Sequence, residues 1–248
     1  MTESSRFAIV TGASRGIGHA LVRALLDGGW HVAGLARGAM ADLAGERFQA
    51  VQLDLADSQT AVSVLERLLT AESFSKATEI CLVNNAGVVT PVAQAGNLPI
   101  DDISAAVALN LTTPIALTNA LLRMTNKSGA ARRVVNISSG AASTSYPGWS
   151  VYGATKAGLD HFTRCVAAEQ IMQSNPLRIV SIAPGVVDTD MQAQLRGCAK
   201  ENFPIRDRFV ELHRSGHLQT AADTATKLLA YLVSPDFGNP PVADLRTL

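Results

Sequence analysis

The sequence predicts an α/β fold in which one parallel sheet is covered by helices on both faces. Short apolar runs alternate with longer helical patterns along the whole chain, and these runs are continuously apolar instead of alternating apolar and polar. Strands buried on both faces read this way. Right-handed crossovers then give a doubly wound sheet of about seven strands. At 248 residues, with 47% hydrophobic residues and no internal repeat, residues 1–248 are expected to form a single domain.

The elements follow in order. Strands are expected at 7–10, 31–35, 48–53, 80–83, 133–137, 178–182 and 242–245. Helices are expected at 18–27, 58–70, 101–124, 151–173 and 221–233. Residues 188–220 depart from the alternation, because they are polar, contain Pro204 and Gly216 and carry no strand pattern. Long segments of this kind in a compact domain are usually functional, so a substrate lid is expected there.

Composition excludes several classes of function. The chain has 21 basic and 21 acidic residues and a net charge of zero, so no nucleic-acid partner is expected. No uninterrupted apolar run reaches the ~18 residues that a membrane span needs. The N-terminal segment, residues 1–6, lacks the apolar core of a signal peptide, and the expected location is therefore cytoplasmic.

Cysteines and histidines give no metal-binding pattern. Cys81, Cys165 and Cys198 are far apart and form no CxxC pair, and the five histidines form no HExxH. The expectation is therefore no bound metal, with three buried free thiols.

A glycine-rich loop follows the first strand. Its residues are Thr11-Gly12-Ala13-Ser14-Arg15-Gly16-Ile17-Gly18, placed where a strand passes into a helix. Glycines there allow a tight turn and a close approach of backbone N–H groups to a diphosphate, so the loop predicts a dinucleotide site. The same letters contain G-x-S-x-G, the nucleophile motif of α/β-hydrolases, with Ser14 as the nucleophile. A single strand precedes Ser14 and the motif leaves Gly18 unexplained, which disfavours a hydrolase.

The end of the second strand indicates which dinucleotide is bound. A carboxylate at this point would bind the ribose 2′-hydroxyl and repel a 2′-phosphate. The sequence instead has Arg37, in Gly34-Leu35-Ala36-Arg37-Gly38, and Arg15 can approach the same phosphate. Guanidinium groups suit phosphate geometry, so NADP(H) is expected over NAD(H).

Tyr152 and Lys156 form a candidate acid–base pair. Their offset of four residues puts them on one face of a helix, about one turn apart. The ammonium is expected to lower the pKa of the phenol, so that Tyr152 can exchange a proton with a carbonyl oxygen.

Five ordered motifs between residues 7 and 189 resemble the short-chain dehydrogenase/reductase family. Besides the glycine loop and the YxxxK pair, they are Asn84-Asn85-Ala86-Gly87, Asn136-Ile137-Ser138-Ser139 and Ala183-Pro184-Gly185-Val186-Val187-Asp188-Thr189. The resemblance implies a Rossmann-type fold. It also implies four catalytic residues, of which Ser139 is preferred over Ser138: Asn110, Ser139, Tyr152 and Lys156. Tyr152 would be the general acid, Lys156 would hold the nicotinamide ribose, Ser139 would bind the substrate oxygen, and Asn110 would kink its helix and serve the proton relay.

The resemblance also implies the cofactor contacts. Asp54 would bond the adenine amine, and Val187 and Thr189 would hold the carboxamide. The expected cofactor-binding set is Gly12, Ser14, Arg15, Ile17, Arg37, Asp54, Asn85, Tyr152, Lys156, Val187 and Thr189. Assembly through the two long helices as a homodimer or homotetramer is implied as well.

Further residues resemble the branch of the family that contains sepiapterin reductase and benzil reductase. They are Tyr146-Pro147-Gly148-Trp149, Val166-Ala167-Ala168-Glu169 and Asp190-Met191-Gln192-Ala193-Gln194, and 183–199 with Asp207-Arg208-Phe209 favour the benzil-reducing type. The resemblance implies NADPH-dependent reduction of one carbonyl of a 1,2-diketone or aromatic ketone to an α-hydroxy ketone. An apolar wall would come from Tyr146, Trp149, Met191 and Phe209. The alternatives are a pterin reductase, with Asp244 as a candidate anchor, a 3-oxoacyl reductase and a noncatalytic NADP(H) sensor.

Overall fold

A seven-stranded parallel sheet forms the centre of the molecule. The structure is a computed structural model that describes residues 5–71, 74 and 76–248. Residues 1–4, on which part of the signal-peptide argument rests, lie outside the described residues. The strand order is β3-β2-β1-β4-β5-β6-β7, so the order reverses between β1 and β4. All neighbouring strands are parallel, as a doubly wound α/β fold requires.

Every predicted strand is present within two residues of its expected ends. The strands are β1 Arg6–Thr11, β2 His31–Ala36, β3 Phe48–Gln52, β4 Glu79–Asn84, β5 Ala131–Ile137, β6 Arg178–Ala183 and β7 Val242–Asp244. In β1, β2 and β4 every residue after the first is buried. The edge strand β3 is largely exposed, because it has a neighbour on one side alone.

Helices cover both faces of the sheet. They are α1 Gly16–Asp27, α2 Ser58–Thr70, α3 Ile100–Val107, α4 Thr113–Thr125, α5 Ser150–Gln170, α6 Asp190–Arg196, α7 Arg206–Arg214 and α8 Ala221–Val233. On one face, α1 and α8 pack in a core that contains Leu25, Trp30 and Leu228. On the other face, α2, α4 and α5 pack in a core that contains Leu65 and Leu121.

The single long helix expected at 101–124 is divided. A π-helical segment, Ala108–Thr112, separates α3 from α4. The expected helix is therefore present, and the kink that the resemblance implied at Asn110 falls inside the π segment. By length and hydropathy, Ile100–Thr125 could cross a membrane. Its residues Leu117 and Leu121 are fully buried against the sheet, as in the core helices that satisfy the same criterion.

The segment 188–220 contains more regular structure than its sequence pattern suggested. Two short helices, α6 and α7, occupy about half of it, and an isolated bridge joins Val187 to Gln219 at its base. It forms no strand in a sheet, as expected. Phe203 and Phe209 bury this segment against the body of the domain.

The expectation of three buried thiols was correct for one cysteine. Cys81 is buried in β4, where burial raises the pKa of its thiol. Cys165 is exposed on α5, and Cys198 is half-buried after α6. All three thiols are free. Whether a helix cysteine such as Cys165 is buried depends on the helix face that it occupies, and a single cysteine in the sequence does not reveal that face.

Candidate active site

A cleft of about 660 Å³ opens at the carboxyl ends of the strands, beside the reversal of strand order. Sixteen of the residues predicted from sequence for catalysis, cofactor or substrate line it. They are Gly12, Ser14, Arg15, Ile17, Arg37, Asp54, Asn85, Ser139, Tyr146, Trp149, Tyr152, Lys156, Val187, Thr189, Met191 and Phe209. Asn110 lies behind the wall, next to Leu109, which does line the cleft.

The glycine loop forms a cradle for a diphosphate. Gly12 has φ of 69°, and a Cβ there would lie 2.9 Å from the Ala86 Cα atom. A Cβ at Gly18 would collide with the Gly12 carbonyl oxygen. Helix α1 begins without a side-chain cap and without an acidic residue in its first turn. Its free N–H groups therefore fit the diphosphate of a dinucleotide.

Asn85 fixes the loop to the end of β4. Its side-chain amide donates to the Thr11 carbonyl at 2.9 Å and to the Gly12 carbonyl at 3.2 Å. The Asn85 backbone N–H in turn donates to the Thr11 hydroxyl at 2.9 Å. These bonds give Asn85 a role in shaping the loop, in addition to the cofactor contact that the resemblance implies.

Two arginines flank the expected position of the adenosine ribose. Arg37 follows β2 and lies 4.0 Å from the Asp54 carboxylate, and Arg15 bonds Asp190 at 3.1 Å. Both guanidinium groups are largely exposed, and surface pairs of this kind are weak. A bound phosphate dianion can therefore compete for both arginines, so these residues fit a 2′-phosphate.

Tyr152 and Lys156 lie on the inner face of α5, as predicted. Both side chains are buried, and the ammonium lies 5.8 Å from the centroid of the phenol ring. Ser139 lies two residues after the end of β5 and hydrogen-bonds to Tyr152. Both residues line the cleft, so a carbonyl oxygen bound there could accept hydrogen bonds from the phenol and the hydroxyl.

The acid–base properties of the pair differ from the expectation. Burial raises the pKa of Tyr152, and the hydrogen bond from Ser139 acts in the opposite direction. The predicted lowering of the Tyr152 pKa by Lys156 was wrong, because burial of the phenol raises this pKa. Burial also lowers the pKa of Lys156 to about 8, against the charge of Asp160. Lys156 is therefore mainly protonated at neutral pH.

The surroundings of Lys156 hold its ammonium in place. Nζ donates to the Ile137 carbonyl oxygen at 2.7 Å, at the end of β5. Gly87 makes room on the opposite side, since a Cβ there would lie 3.6 Å from Nζ and 3.2 Å from the Asn110 side-chain oxygen. Gly87, the last residue of the Asn84-Asn85-Ala86-Gly87 motif, thus permits the approach of two implied catalytic side chains.

Asn110 is bound to the chain after β4. Its side-chain oxygen accepts from the Val88 N–H at 2.9 Å, and its amide donates to the Val88 carbonyl at 2.8 Å. A weaker contact of 3.4 Å reaches the Thr155 hydroxyl, one residue before Lys156. The π segment turns Asn110 inward to make these bonds.

The substrate end of the cleft is aromatic. The Trp149 ring lies 5.1 Å from the Tyr152 ring, 5.6 Å from the Tyr146 ring and 5.6 Å from the Phe209 ring, between ring centroids. Phe203, which the sequence argument missed, packs 5.0 Å from Trp149. Met191 completes this wall. The wall suits a flat, apolar substrate.

Several residues that the sequence argument missed also belong to the site. Arg208 and Arg246 line the substrate end, and Asp160 lies buried one turn beyond Lys156. The one sequence signal for Asp160 was its offset of four residues from Lys156, on the same helix face. Arg208 appeared in the sequence within Asp207-Arg208-Phe209, without a role of its own, and Arg246, near the end of the chain, gave no signal.

The hydrolase alternative finds no support in the geometry. Ser14 is half-buried at the glycine loop, and none of the residues lining the cleft is a histidine. A serine nucleophile of this type needs an adjacent general base. The G-x-S-x-G letters are part of the dinucleotide loop.

The fold and this site define a family. The family model described as short chain dehydrogenase matches residues 6–199, and the chain belongs to that family. It is therefore an oxidoreductase of a family that uses nicotinamide dinucleotides.

Among curated proteins, the chain is similar to benzil reductase ((S)-benzoin forming) from Bacillus subtilis (strain 168). The two are 38% identical over 224 residues, which cover 90% of this chain and 92% of the relative. The chain is also 34% identical to sepiapterin reductase from Mus musculus, over 92% of each chain. Among solved structures, the KRED1-Pglu enzyme superposes with a TM-score of 0.81 at 30% identity, over 94% of this chain and 98% of that one.

Proposed function

We propose that this protein is an NADPH-dependent carbonyl reductase that reduces one carbonyl of a 1,2-diketone, or of a similar aromatic ketone, to an α-hydroxy ketone. The observation that carries the proposal is the Ser139–Tyr152 hydrogen bond next to the aromatic wall around Trp149. It presents two donors to one oxygen, beside a surface suited to a flat apolar group. The similarity to benzil reductases supports the choice of a diketone.

The proposed cofactor contacts follow the cleft. The glycine loop would hold the diphosphate, Arg15 and Arg37 the 2′-phosphate, and Asp54 the adenine amine. Val187 and Thr189 would hold the carboxamide, and Lys156 the ribose next to it. When bound, the reduced nicotinamide supplies the hydride that the carbonyl carbon receives.

The chain's own residues handle the oxygen and the proton. Ser139 and Tyr152 donate hydrogen bonds to the carbonyl oxygen and stabilise the negative charge that develops on it. Tyr152 gives its proton to this oxygen, which yields the alcohol, and the phenolate that remains is stabilised by the Lys156 ammonium. Proton resupply would pass along Lys156 and Asn110. The raised pKa of Tyr152 suits a group that must carry its proton before each turnover.

A pterin reductase with Asp244 as the substrate anchor is disfavoured. The Asp244 carboxylate accepts from the Arg246 Nε at 2.9 Å and from its Nη2 at 2.5 Å. These bonds hold the pKa of Asp244 below its usual value and leave Arg246, not Asp244, on the cleft wall. The N–H donors of a pterin ring would meet an arginine there, which has no acceptor to offer them. No comparable observation favours a 3-oxoacyl reductase.

The decisive experiment is a turnover assay with NADPH and benzil. We expect loss of the near-ultraviolet absorbance of the reduced nicotinamide and formation of benzoin, with sepiapterin and a 3-oxoacyl thioester as comparison substrates. Tight NADPH binding without oxidation by any diketone or ketone would instead favour the noncatalytic sensor. Ester hydrolysis that Ser14→Ala abolishes would support the hydrolase.

We also propose that residues 188–220 act as a lid over the substrate. The two long helical segments, Ile100–Thr125 (α3, the π segment and α4) and α5, are proposed to form the contacts of a homodimer or homotetramer. Light scattering after size exclusion measures the assembly. A cytoplasmic location stays a prediction.

A further inference from the structure

Asp160 is a buried carboxylate to which the proposed reaction assigns no role. It is 8% exposed and lies on α5, four residues after Lys156 and eight after Tyr152. An i, i+4 spacing places it on the same helix face as Lys156. A buried carboxylate is costly unless hydrogen-bonded and close to a positive charge.

Two serines hold this carboxylate in position. The hydroxyls of Ser138, after β5, and Ser181, in β6, each donate to the same oxygen, Oδ1, at 2.6 Å. The Ser138 N–H donates to the Ile182 carbonyl at 2.8 Å, so β5 and β6 stay joined at this level. The carboxylate is therefore fixed to the carboxyl-terminal parts of β5 and β6, close to the strand ends that line the cleft.

The same cluster reaches Lys156 and Ser139. The ammonium donates to the Ile137 carbonyl, Ser138 comes next in the chain, and Ser139 follows it. Of the two serines in the Asn136-Ile137-Ser138-Ser139 motif, Ser139 is the one preferred for catalysis, which leaves Ser138 without an assigned role. Its bond to Asp160 accounts for its presence, because it orients the residues on either side.

We propose that Asp160 is a positioning residue of the reduction: its carboxylate, held by Ser138 and Ser181, is the buried counter-charge that keeps Lys156 positively charged and aimed at the cleft. The inference rests on the proposed function in one respect, the role of Lys156 in holding the cofactor ribose. It requires no particular ketone.

Few other charges reach Lys156. The elements packed against α5 carry the titratable residues Asp101, Asp102, Arg123, Arg178 and Asp244. The helix itself carries Tyr152, Asp160, His161, Arg164, Cys165 and Glu169. Among these described residues, Asp160 is the charge that acts on the Lys156 ammonium, and it raises the lysine pKa against the effect of burial.

The direction in which NADPH affinity changes with pH follows from the charge of Lys156. Lys156 loses its charge as pH rises through about 8, so NADPH affinity should fall above that pH. Without the Asp160 charge the lysine pKa is lower still, and the fall should begin at lower pH. Asp160→Asn is the matched variant, because its side-chain oxygen can accept both serine bonds while the charge is removed.

The test measures NADPH affinity by fluorescence titration from about pH 7 to pH 10. We expect the midpoint of the affinity loss to move to lower pH in Asp160→Asn and to stay at the wild-type value in Ser181→Ala, which keeps the charge. Asp160→Ser removes the charge in a smaller side chain and replaces the first variant if that one does not fold. An unchanged midpoint in a folded, charge-free variant overturns the proposal, even if affinity is weaker at every pH.

This readout separates the two proposals. A shifted midpoint in a protein that reduces no diketone leaves the role of Asp160 intact and removes the proposed substrate. Benzil reduction with an unshifted midpoint leaves the proposed substrate intact and removes the proposed role of Asp160.

Discussion

At the scale of single residues, the proposed chemistry depends on two buried side chains whose properties burial changes in opposite ways. The phenol of Tyr152 has a raised pKa and keeps its proton, whereas the ammonium of Lys156 has a lowered pKa of about 8. A donor that holds its proton and a cation that can release one are suited to reduction near neutral pH.

Replacing Tyr152 by phenylalanine removes the proton donor and little of the packing. We expect kcat to fall by about 100- to 10,000-fold, the usual contribution of general acid catalysis, while NADPH affinity stays within a few-fold of wild type. Stopped-flow measurement of NADPH oxidation and a fluorescence titration check the two parts. Retained turnover would remove Tyr152 from its proposed role.

Arg37→Asp tests the cofactor preference. The substitution removes a guanidinium that would bind the 2′-phosphate and adds a carboxylate that would bind a ribose hydroxyl. We expect kcat/KM with NADPH to fall by about 10- to 100-fold and the preference to move toward NADH. Arg47→Asp is the control, because Arg47 is exposed at the amino end of β3 and does not line the cleft. An equal effect of both substitutions would contradict the phosphate role.

At the scale of elements, short irregular segments at strand ends position the site. The π segment Ala108–Thr112 turns Asn110 inward, and the glycine loop brings the start of α1 against β4. Each such segment depends on contacts with a distant part of the chain.

Gly18→Ala should disrupt the glycine loop. A Cβ there would collide with the Gly12 carbonyl oxygen and the Asn85 amide, so the loop must move. We expect weaker NADPH binding, by at least about tenfold, and a loss of about 1–3 kcal/mol in unfolding free energy. Gly129→Ala is the control, since nothing lies within 4 Å of its Cβ position. Titration and chemical denaturation measure both effects, and equal behaviour of the two variants would argue against the cradle.

At the scale of the whole molecule, the site costs stability. Lys156 has its pKa lowered from 10.5 to about 8, so the folded protein binds fewer protons than the unfolded chain between these values. The cost of the buried charge is therefore present below about pH 8 and declines as pH rises toward 10.5.

We expect Lys156→Met to stabilise the protein and to abolish its activity. Removing the buried ammonium is expected to raise the unfolding free energy at pH 7 by on the order of 1 kcal/mol, or about 2–4 °C in Tm, with turnover lost. The advantage over wild type should shrink above about pH 8, where the wild-type lysine is neutral. Calorimetry at pH 7 and in the alkaline range checks the sign. A lower Tm at pH 7 would show that the Ile137 bond outweighs the desolvation of the charge.

The pattern of residues along the chain predicted the sheet, the strand-end motifs and most of the cleft wall. Apolar runs predicted all seven strands within two residues, and the strands buried on both faces, such as β1, β2 and β4, gave the clearest pattern. Motifs at successive strand ends had to meet at one edge, because parallel strands share their carboxyl ends there.

Features that depend on contacts between distant parts of the chain could be seen only in the folded protein. The π segment forms because Asn110 bonds to Val88, 22 residues away, and the helices of 188–220 are fixed by packing around Trp149. The raised pKa of Tyr152 and the bonds of Ser138 and Ser181 to Asp160 follow from burial and from the meeting of separate strands. The burial of a single phenol and the meeting of residues from separate strands leave no local pattern, so the sequence alone could not reveal them.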